Sequence, residues 1–427
     1  MLQQLPVAII GGGPVGMAAA AHLIKRKRAF ILLERGPSVG ASLMKWKHVR
    51  MFSSWEYNID RAAEELLVSR GWTSPNKEIL PTGGQMVREY LTPLYDLPEM
   101  QPYIITNSQV IAIQRYGIDK MKSAGRESFP FEITYKSLGV THQVFASAVI
   151  DATGTYDTPN PAGAGGNPAA GEVMHASRIF YGIPEVTGEH RARYAGKTVA
   201  VIGSGHSAIN TILELDRLKD EEPETEIIWL LRKKSVTETY GGGENDALPA
   251  RGELGSRIGR LVEEGRVRFH SPFRIHTIEN IGDKLQLSGM TNGQTSTIGH
   301  IDEIVVNTGA RPDFSFIREL RYEADSAIEC VPSIAELIDP NIHSCGTVRP
   351  HGEAELRQPE KNFYIAGSKS YGRAPTFLMA TGYEQVRSIV AALSGDWDEA
   401  KKVELNLPET GVCSIPVTAN SGSSCCG

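Results

Sequence analysis

Apolar residues fall in short runs separated by helical patterns and polar loops, and the runs recur in the same order twice along the chain. PVAII is a β-like run cut by three glycines, and MAAAAHLIKRK after it is a strong helix former. AFILLER then supplies a second strand. From Val199 the succession returns: VAVIGSGHSAIN (199–210) reads as strand, Gly-rich turn and helix start, SAINTILELDRL continues the helix, the acidic KDEEPETE is a solvated loop, and IIWLL is a strand. A second pair of repeats supports a duplication. AVIDATGTYDTP (148–159) and EIVVNTGARPD (303–313) are β-rich runs that end in Thr-Gly and a turn containing Pro. A strand of this kind returns the chain to a sheet after a crossover, and its glycine lets backbone approach a ligand closely.

The glycines carry the chemistry. Gly11, Gly13 and Gly16, with Pro14 and Val15 between them, fit G-x-G-x-x-G between a strand and a helix. In that setting the first glycine makes the tight turn, the second admits a pyrophosphate to the helix N-terminus, and the third lets helix pack on strand. Glu34 lies 23 residues after Gly11 at the end of the second strand, placed to accept hydrogen bonds from a ribose diol, and Arg35 follows it. In the second copy Gly203, Gly205 and Ala208 take the three roles, with Ser204, His206 and Ser207 completing the turn. Its second strand ends in Arg232-Lys233-Lys234 instead of a carboxylate. Guanidinium and ammonium groups suit a 2′-phosphate, which a carboxylate would repel. The first turn is therefore expected to hold FAD and the second NADPH, with Ala152, Thr153 and Gly154 near the first and Gly309 near the second. The fold class expected is α/β, with two Rossmann-type dinucleotide-binding domains, the NADPH domain (165–309) inserted in a discontinuous FAD domain (1–160 and 310–400) and a tail over 401–427.

Composition narrows the partners. The chain has 427 residues and a formal net charge of −6, and its compact basic run, Lys25 to Arg28, falls where a helix C-terminus is expected. Nucleic acid is not an expected partner. Residues 7–24 are apolar enough to suggest a membrane span, but the glycines interrupt them and MLQQLP has no positive leading region. Five cysteines do not make a disulfide scaffold, so a reducing cytoplasm is the expectation.

Over roughly residues 5 to 395 the paired repeats resemble the two-dinucleotide-binding flavoproteins, a group that includes flavin-containing and Baeyer–Villiger monooxygenases and thioredoxin reductases. The chain looks closest to the monooxygenase side. Of the fingerprint F-x-G-x-x-x-H-x-x-x-(F/Y/W), Gly171 and His175 fit, while Ala169 replaces the Phe and Ile179 the aromatic, with Phe180 and Tyr181 just beyond. KNFYIAGSKSYGRAPTFLMATGYEQVRSIVAAL (361–393) resembles the segment by which the group returns to its FAD domain, and the resemblance implies flavin contacts at Gly367 and Ser368. The loop KWKHVRMFSSWEYNI (45–59) is placed either to cover the flavin, through Trp46, or to join the core.

The resemblance implies NADPH-dependent reduction of FAD and oxygenation of a small soft nucleophile or carbonyl compound by molecular oxygen. No C-x-x-C occurs, which argues against thioredoxin-reductase-like chemistry. Cys345, flanked by His343 and His351, reads as a structural or channel loop more readily than as a metal or thiol site. The tail carries Cys413, Cys425 and Cys426, and its terminal Ser-Cys-Cys-Gly looks like the cysteine pair of mercuric reductase, whose C-x-x-x-x-C is missing here. Three thiolates suit a soft metalloid such as trivalent arsenic. Adventitious tail cysteines, a flavin reductase of a metalloid or thiol adduct, and a non-catalytic redox or metalloid-binding module stay open.

Overall fold

The computed structural model describes residues 4–240, 249–342 and 348–405. They form two compact units. One takes the chain up to Thr158, then Arg311–Asp339 and the described residues from Val348 onward; the other is Pro159–Ala310 with the short stretch from Pro340.

In the first unit, strands β1 (Val7–Ile10), β2 (Phe30–Leu33), β3 (Ile104–Ile105), β7 (Ala148–Asp151) and β16 (Phe363–Ile365) make a parallel sheet in the order β16-β7-β1-β2-β3. Central β1 pairs with β2 from Val7↔Phe30 to Ile10↔Leu33, and with β7 from Val7↔Ala148 to Ile10↔Asp151. All of β1 is buried, which is why PVAII shows no alternation. The first helix, Pro14–Lys25, begins with a proline whose missing N–H costs nothing there, and it ends before Lys27 at φ 55°. Its small residues Ala18 to Ala21 are fully buried, and it packs against the late helix Met379–Leu393. Between β3 and β7 lies an antiparallel meander, β4 (Ser108–Arg115), β5 (Phe131–Ser137) and β6 (Val140–Ala146). Buried Glu360, bonded to Arg115 and Arg126, ties that meander to the returning chain.

The second unit repeats the plan. Strands β8 (Ile179–Tyr181), β9 (Thr198–Ile202), β10 (Glu226–Leu230), β11 (Arg268–His270) and β15 (Glu303–Val306) form a parallel sheet in the order β11-β10-β9-β15-β8. A meander of β12 (Arg274–Ile281), β13 (Lys284–Thr291) and β14 (Gln294–Ile301) again precedes the strand that leads to Thr-Gly. Its β13–β14 turn is Asn292-Gly293, both at positive φ, the pairing a two-residue hairpin favours. The helix after the second Gly-rich turn, His206–Glu221, runs further than expected: Lys219 to Glu221 are its last turn, Glu226 opens β10, and only 222–225 of the acidic stretch are loop. No described helix is long and apolar enough to cross a membrane.

Candidate functional site

The three glycines of the first turn do three different things. Gly11 sits at φ +103°, and a Cβ there would lie 2.8 Å from the Ala152 carbonyl oxygen. A Cβ on Gly16 would come within 1.9 Å of the Gly11 oxygen, so helix and strand touch through it. Beside Gly13 there is nothing within 4 Å. Gly13 is also the N-cap of the first helix, and no side chain caps that end. Unsatisfied N–H groups facing open space are what a pyrophosphate requires. Pro14 and Val15 are buried in the first helical turn, and Val15 supports the late segment: a Cβ on Gly367 would meet it at 3.3 Å.

Half-buried Glu34 is already held, its two oxygens accepting from the Gly12 and Gly36 N–H groups at 2.6 Å each. Each carboxylate oxygen keeps a lone pair for a ribose hydroxyl. Exposed Arg35 turns away to Asp157, which also binds Lys45 and Ser42. Burial acts to raise the Asp157 carboxyl, but the Lys45 hydrogen bond and the Arg35 charge outweigh it and hold it below its ordinary value. Trp46 packs on Gly83, whose Cβ would lie 2.8 Å from the indole, so the ring is wall for that loop and half-buried.

Ala152-Thr153-Gly154 lies just past β7, with Gly154 at φ +69° and the Ser368 hydroxyl beside it. A fully buried ion pair fixes these segments together. Lys369 Nζ donates to Asp151 (2.6 Å), the Asp313 carbonyl (2.6 Å) and Thr153 Oγ1 (3.3 Å), and Asp151 accepts from the Thr153 hydroxyl. The sequence reading missed both residues. A charge at the end of an apolar strand such as AVID has to be paired, and that was the available signal.

In the second turn Gly203 is at φ +137°, and a Cβ would lie 2.3 Å from the Asn307 oxygen. Its carbonyl accepts from the Trp229 indole at 2.7 Å. Gly205, like Gly13, opens on nothing within 4 Å and caps a helix that has no side-chain cap. Ala208 is fully buried where the third glycine of the first copy stands. Ser204 and His206 are half-buried and Ser207 is exposed, its carbonyl accepting from Thr211. Asn307 donates to Gly182 and accepts from Thr211, joining β15 to the helix. Gly309, at φ +86°, is held through Asn160, whose N–H donates to its carbonyl. Past β10, Arg232 is exposed and reaches the Ala164 carbonyl at 3.4 Å, and Lys233 donates to the Glu238 carbonyl.

The Pyridine nucleotide-disulphide oxidoreductase model matches residues 8–346, well over half of the chain. The chain belongs to the pyridine nucleotide-disulphide oxidoreductase family. Solved structures agree in fold. A bacillithiol disulfide reductase from Bacillus cereus is 20% identical, covering 92% of this chain and 99% of that one at a TM-score of 0.67. An ornithine N-hydroxylase from Kutzneria sp. 744 is 15% identical (92% and 99%, TM-score 0.61). A cadaverine monooxygenase from Erwinia amylovora, solved bound to FAD, is 11% identical (94% and 97%, TM-score 0.65). No curated protein matches.

For an oxidoreductase of this family the remaining expected groups divide clearly. In the second unit, Gly171 at φ +84° is required because a Cβ would lie 2.1 Å from the Ile278 oxygen. Phe180 meets His190 edge-on, and the Tyr181 hydroxyl returns to the fingerprint through Glu172 (2.6 Å). His351 in the first unit is buried, with both ring nitrogens engaged, by the Arg349 carbonyl and by Gln385. Its expected neighbours His343 and Cys345, and the tail cysteines Cys413, Cys425 and Cys426, lie outside the described residues. Cys330 is buried, and burial pushes its thiol up to about 12. Near the late helix, Thr376 Oγ1 is buried with no hydrogen-bond partner among the described residues, while the buried Tyr371 hydroxyl faces Thr381. Tyr383, by contrast, donates to the Asn58 carbonyl as an ordinary core phenol.

Proposed function

We propose that this oxidoreductase is an NADPH-dependent flavoprotein of the monooxygenase type, acting on a small soft nucleophile or carbonyl compound with molecular oxygen. The cofactors are FAD and NADPH, FAD in the first unit and NADPH in the second. The observation that carries this reading is the paired turns, each an uncapped helix N-terminus behind an open second glycine, with a carboxylate beyond one and Arg-Lys beyond the other. When bound, FAD supplies two-electron redox chemistry at the expense of the nicotinamide and passes the electrons to an acceptor. The protein's own part is positional. The helix N-termini that follow Gly13 and Gly205 would take the pyrophosphates, Glu34 a ribose diol, and Arg232 and Lys233 the 2′-phosphate. Gly367, Ser368 and the uncapped start of helix Met379–Leu393 would lie along the flavin, where the Thr376 hydroxyl offers a polar partner.

Oxygen as the acceptor is supported by the cysteine inventory. The sequence has no C-x-x-C, and the thiol of Cys330 is too basic and too buried to attack a disulfide. The terminal Cys425-Cys426 pair favours a second reading, reduction of a metalloid or thiol adduct with the tail as delivery arm. Turnover under oxygen-18 with amines, sulfides and organoarsenicals separates the two. The monooxygenase reading expects one labelled oxygen atom in the product and one in water for each NADPH oxidised. It fails if turnover proceeds equally without oxygen, and loss of that turnover in the triple Cys→Ser variant would establish the second reading.

A further inference from the structure

The Gly367–Tyr371 turn is held from behind by a side-chain relay. Gln385, fully buried on helix Met379–Leu393, accepts from the Gly367 N–H through Oε1 at 2.7 Å. Its amide nitrogen lies 2.9 Å from Ser370 Oγ and 2.9 Å from His351 Nε2, and Ser370 in turn donates to the Gly367 carbonyl at 2.7 Å. The backbone N–H of Gly367 can only donate, so the amide oxygen of Gln385 must face it and the NH2 must face His351. His351 Nε2 is then an acceptor, and its proton sits on Nδ1, toward the Arg349 carbonyl at 3.2 Å. One tautomer of one neutral imidazole thus fixes the amide that fixes the turn.

We propose that Gln385 is a positioning residue for the flavin-side turn and that neutral His351 sets its orientation. This rests on the reading that Gly367 and Ser368 line FAD. Protonating Nε2 sets two donors face to face. Flipping the Gln385 amide to relieve them places its NH2 against the Gly367 N–H, so either arrangement gives up a buried hydrogen bond. The groups around the ring are Arg349 on its own segment, Glu355 on the short helix Glu353–Leu356, Glu384 on helix Met379–Leu393, and the Tyr371 ring at 5.6 Å between centroids. Burial dominates and keeps the imidazole below its ordinary 6.5. The turn is therefore held at neutral pH and loosens as pH falls through that lowered value.

The test is the rate of FAD release from the holoenzyme on dilution, followed by flavin fluorescence from about pH 7.5 to about pH 4.5, with NADP+ binding as a control for the second unit. Wild type should release FAD about tenfold faster at the acid end. H351Q can place an amide oxygen near the Nε2 position as an acceptor for Gln385 without titrating, and should show a change of about twofold or less. Q385L, verified as folded by circular dichroism, should release FAD about tenfold faster at both ends with NADP+ binding unchanged. An H351Q profile that follows wild type, or a Q385L variant that releases FAD at the wild-type rate, overturns the proposal and leaves the FAD assignment standing. A purified protein that carries no FAD at any pH overturns the assignment and the proposal with it.

Discussion

The two units are the same device built twice with different ends. In each, the strand before the Gly-rich turn is the centre of a five-stranded parallel sheet, flanked on one side by the strand that leads to the acidic or basic partner and on the other by the Thr-Gly strand. The fifth strand differs. It is β8, just ahead of the turn, in the second unit, and β16, brought back from more than 300 positions later, in the first. That late return delivers Gly367, Ser368, Lys369 and Gln385 to the first turn, and none of them has a counterpart among the described residues of the second. The first unit thus carries a second wall for its ligand, which suits a cofactor that stays bound. The second has a turn, a basic strand end and Asn307, which suit one that comes and goes.

The most severe way to break the comparison is steric. Gly16→Val puts side-chain atoms into the Gly11 carbonyl and should cost more than about 3 kcal/mol, giving colourless or unfolded protein by circular dichroism. Gly13→Ala, with nothing within 4 Å of the new methyl, should leave thermal stability within about 1 kcal/mol and still weaken FAD binding. Equal damage from the two would remove the distinction between a packing glycine and a ligand-facing one.

A smaller effect sharpens the difference in partners. Arg232→Glu should lower kcat/KM for NADPH by about tenfold to a hundredfold, through loss of charge-assisted bonding to a 2′-phosphate, and change that for NADH little. An equal loss with both nucleotides would mean that Arg232 does not read the phosphate.

The smallest effect tests the Asp157 clasp on Arg35 and Lys45. The folded carboxyl titrates below its ordinary 3.8, so its contribution is present above that value and is lost as pH falls through the lowered one. Because both cations are half exposed, Asp157→Asn should cost no more than about 1 kcal/mol at neutral pH, and the difference should vanish in acid. A difference that grows as pH drops would reverse the sign assigned here.

How much of this was legible follows from the range of the interactions. The turns, their helices and the strands beside them are local patterns, so glycine spacing and unbroken apolar runs located them, and even the Thr-Gly repeats announced a duplication. The chain overshot only where Pro223 rather than the acidic run ends the helix. The ion pair of Lys369 with Asp151 spans 218 positions, and the bond between Gln385 and Gly367 lies inside a segment whose flavin-side reading came from a resemblance, so neither had a sequence period to betray it. Trp46 was left open because an aromatic in a loop reads alike as flavin cover or core; it packs on Gly83 and against the core of the first unit.

The most direct test of two turns with two tasks is anaerobic mixing of NADPH with the yellow protein and with its Gly205→Glu variant, following the flavin absorbance. Wild type should bleach, while the variant should keep its FAD and its colour and stay oxidised, because a carboxylate stands where the NADPH pyrophosphate would lie. A variant that bleaches at the wild-type rate, or that loses its FAD, would contradict the assignment of the second turn to NADPH and the first to FAD.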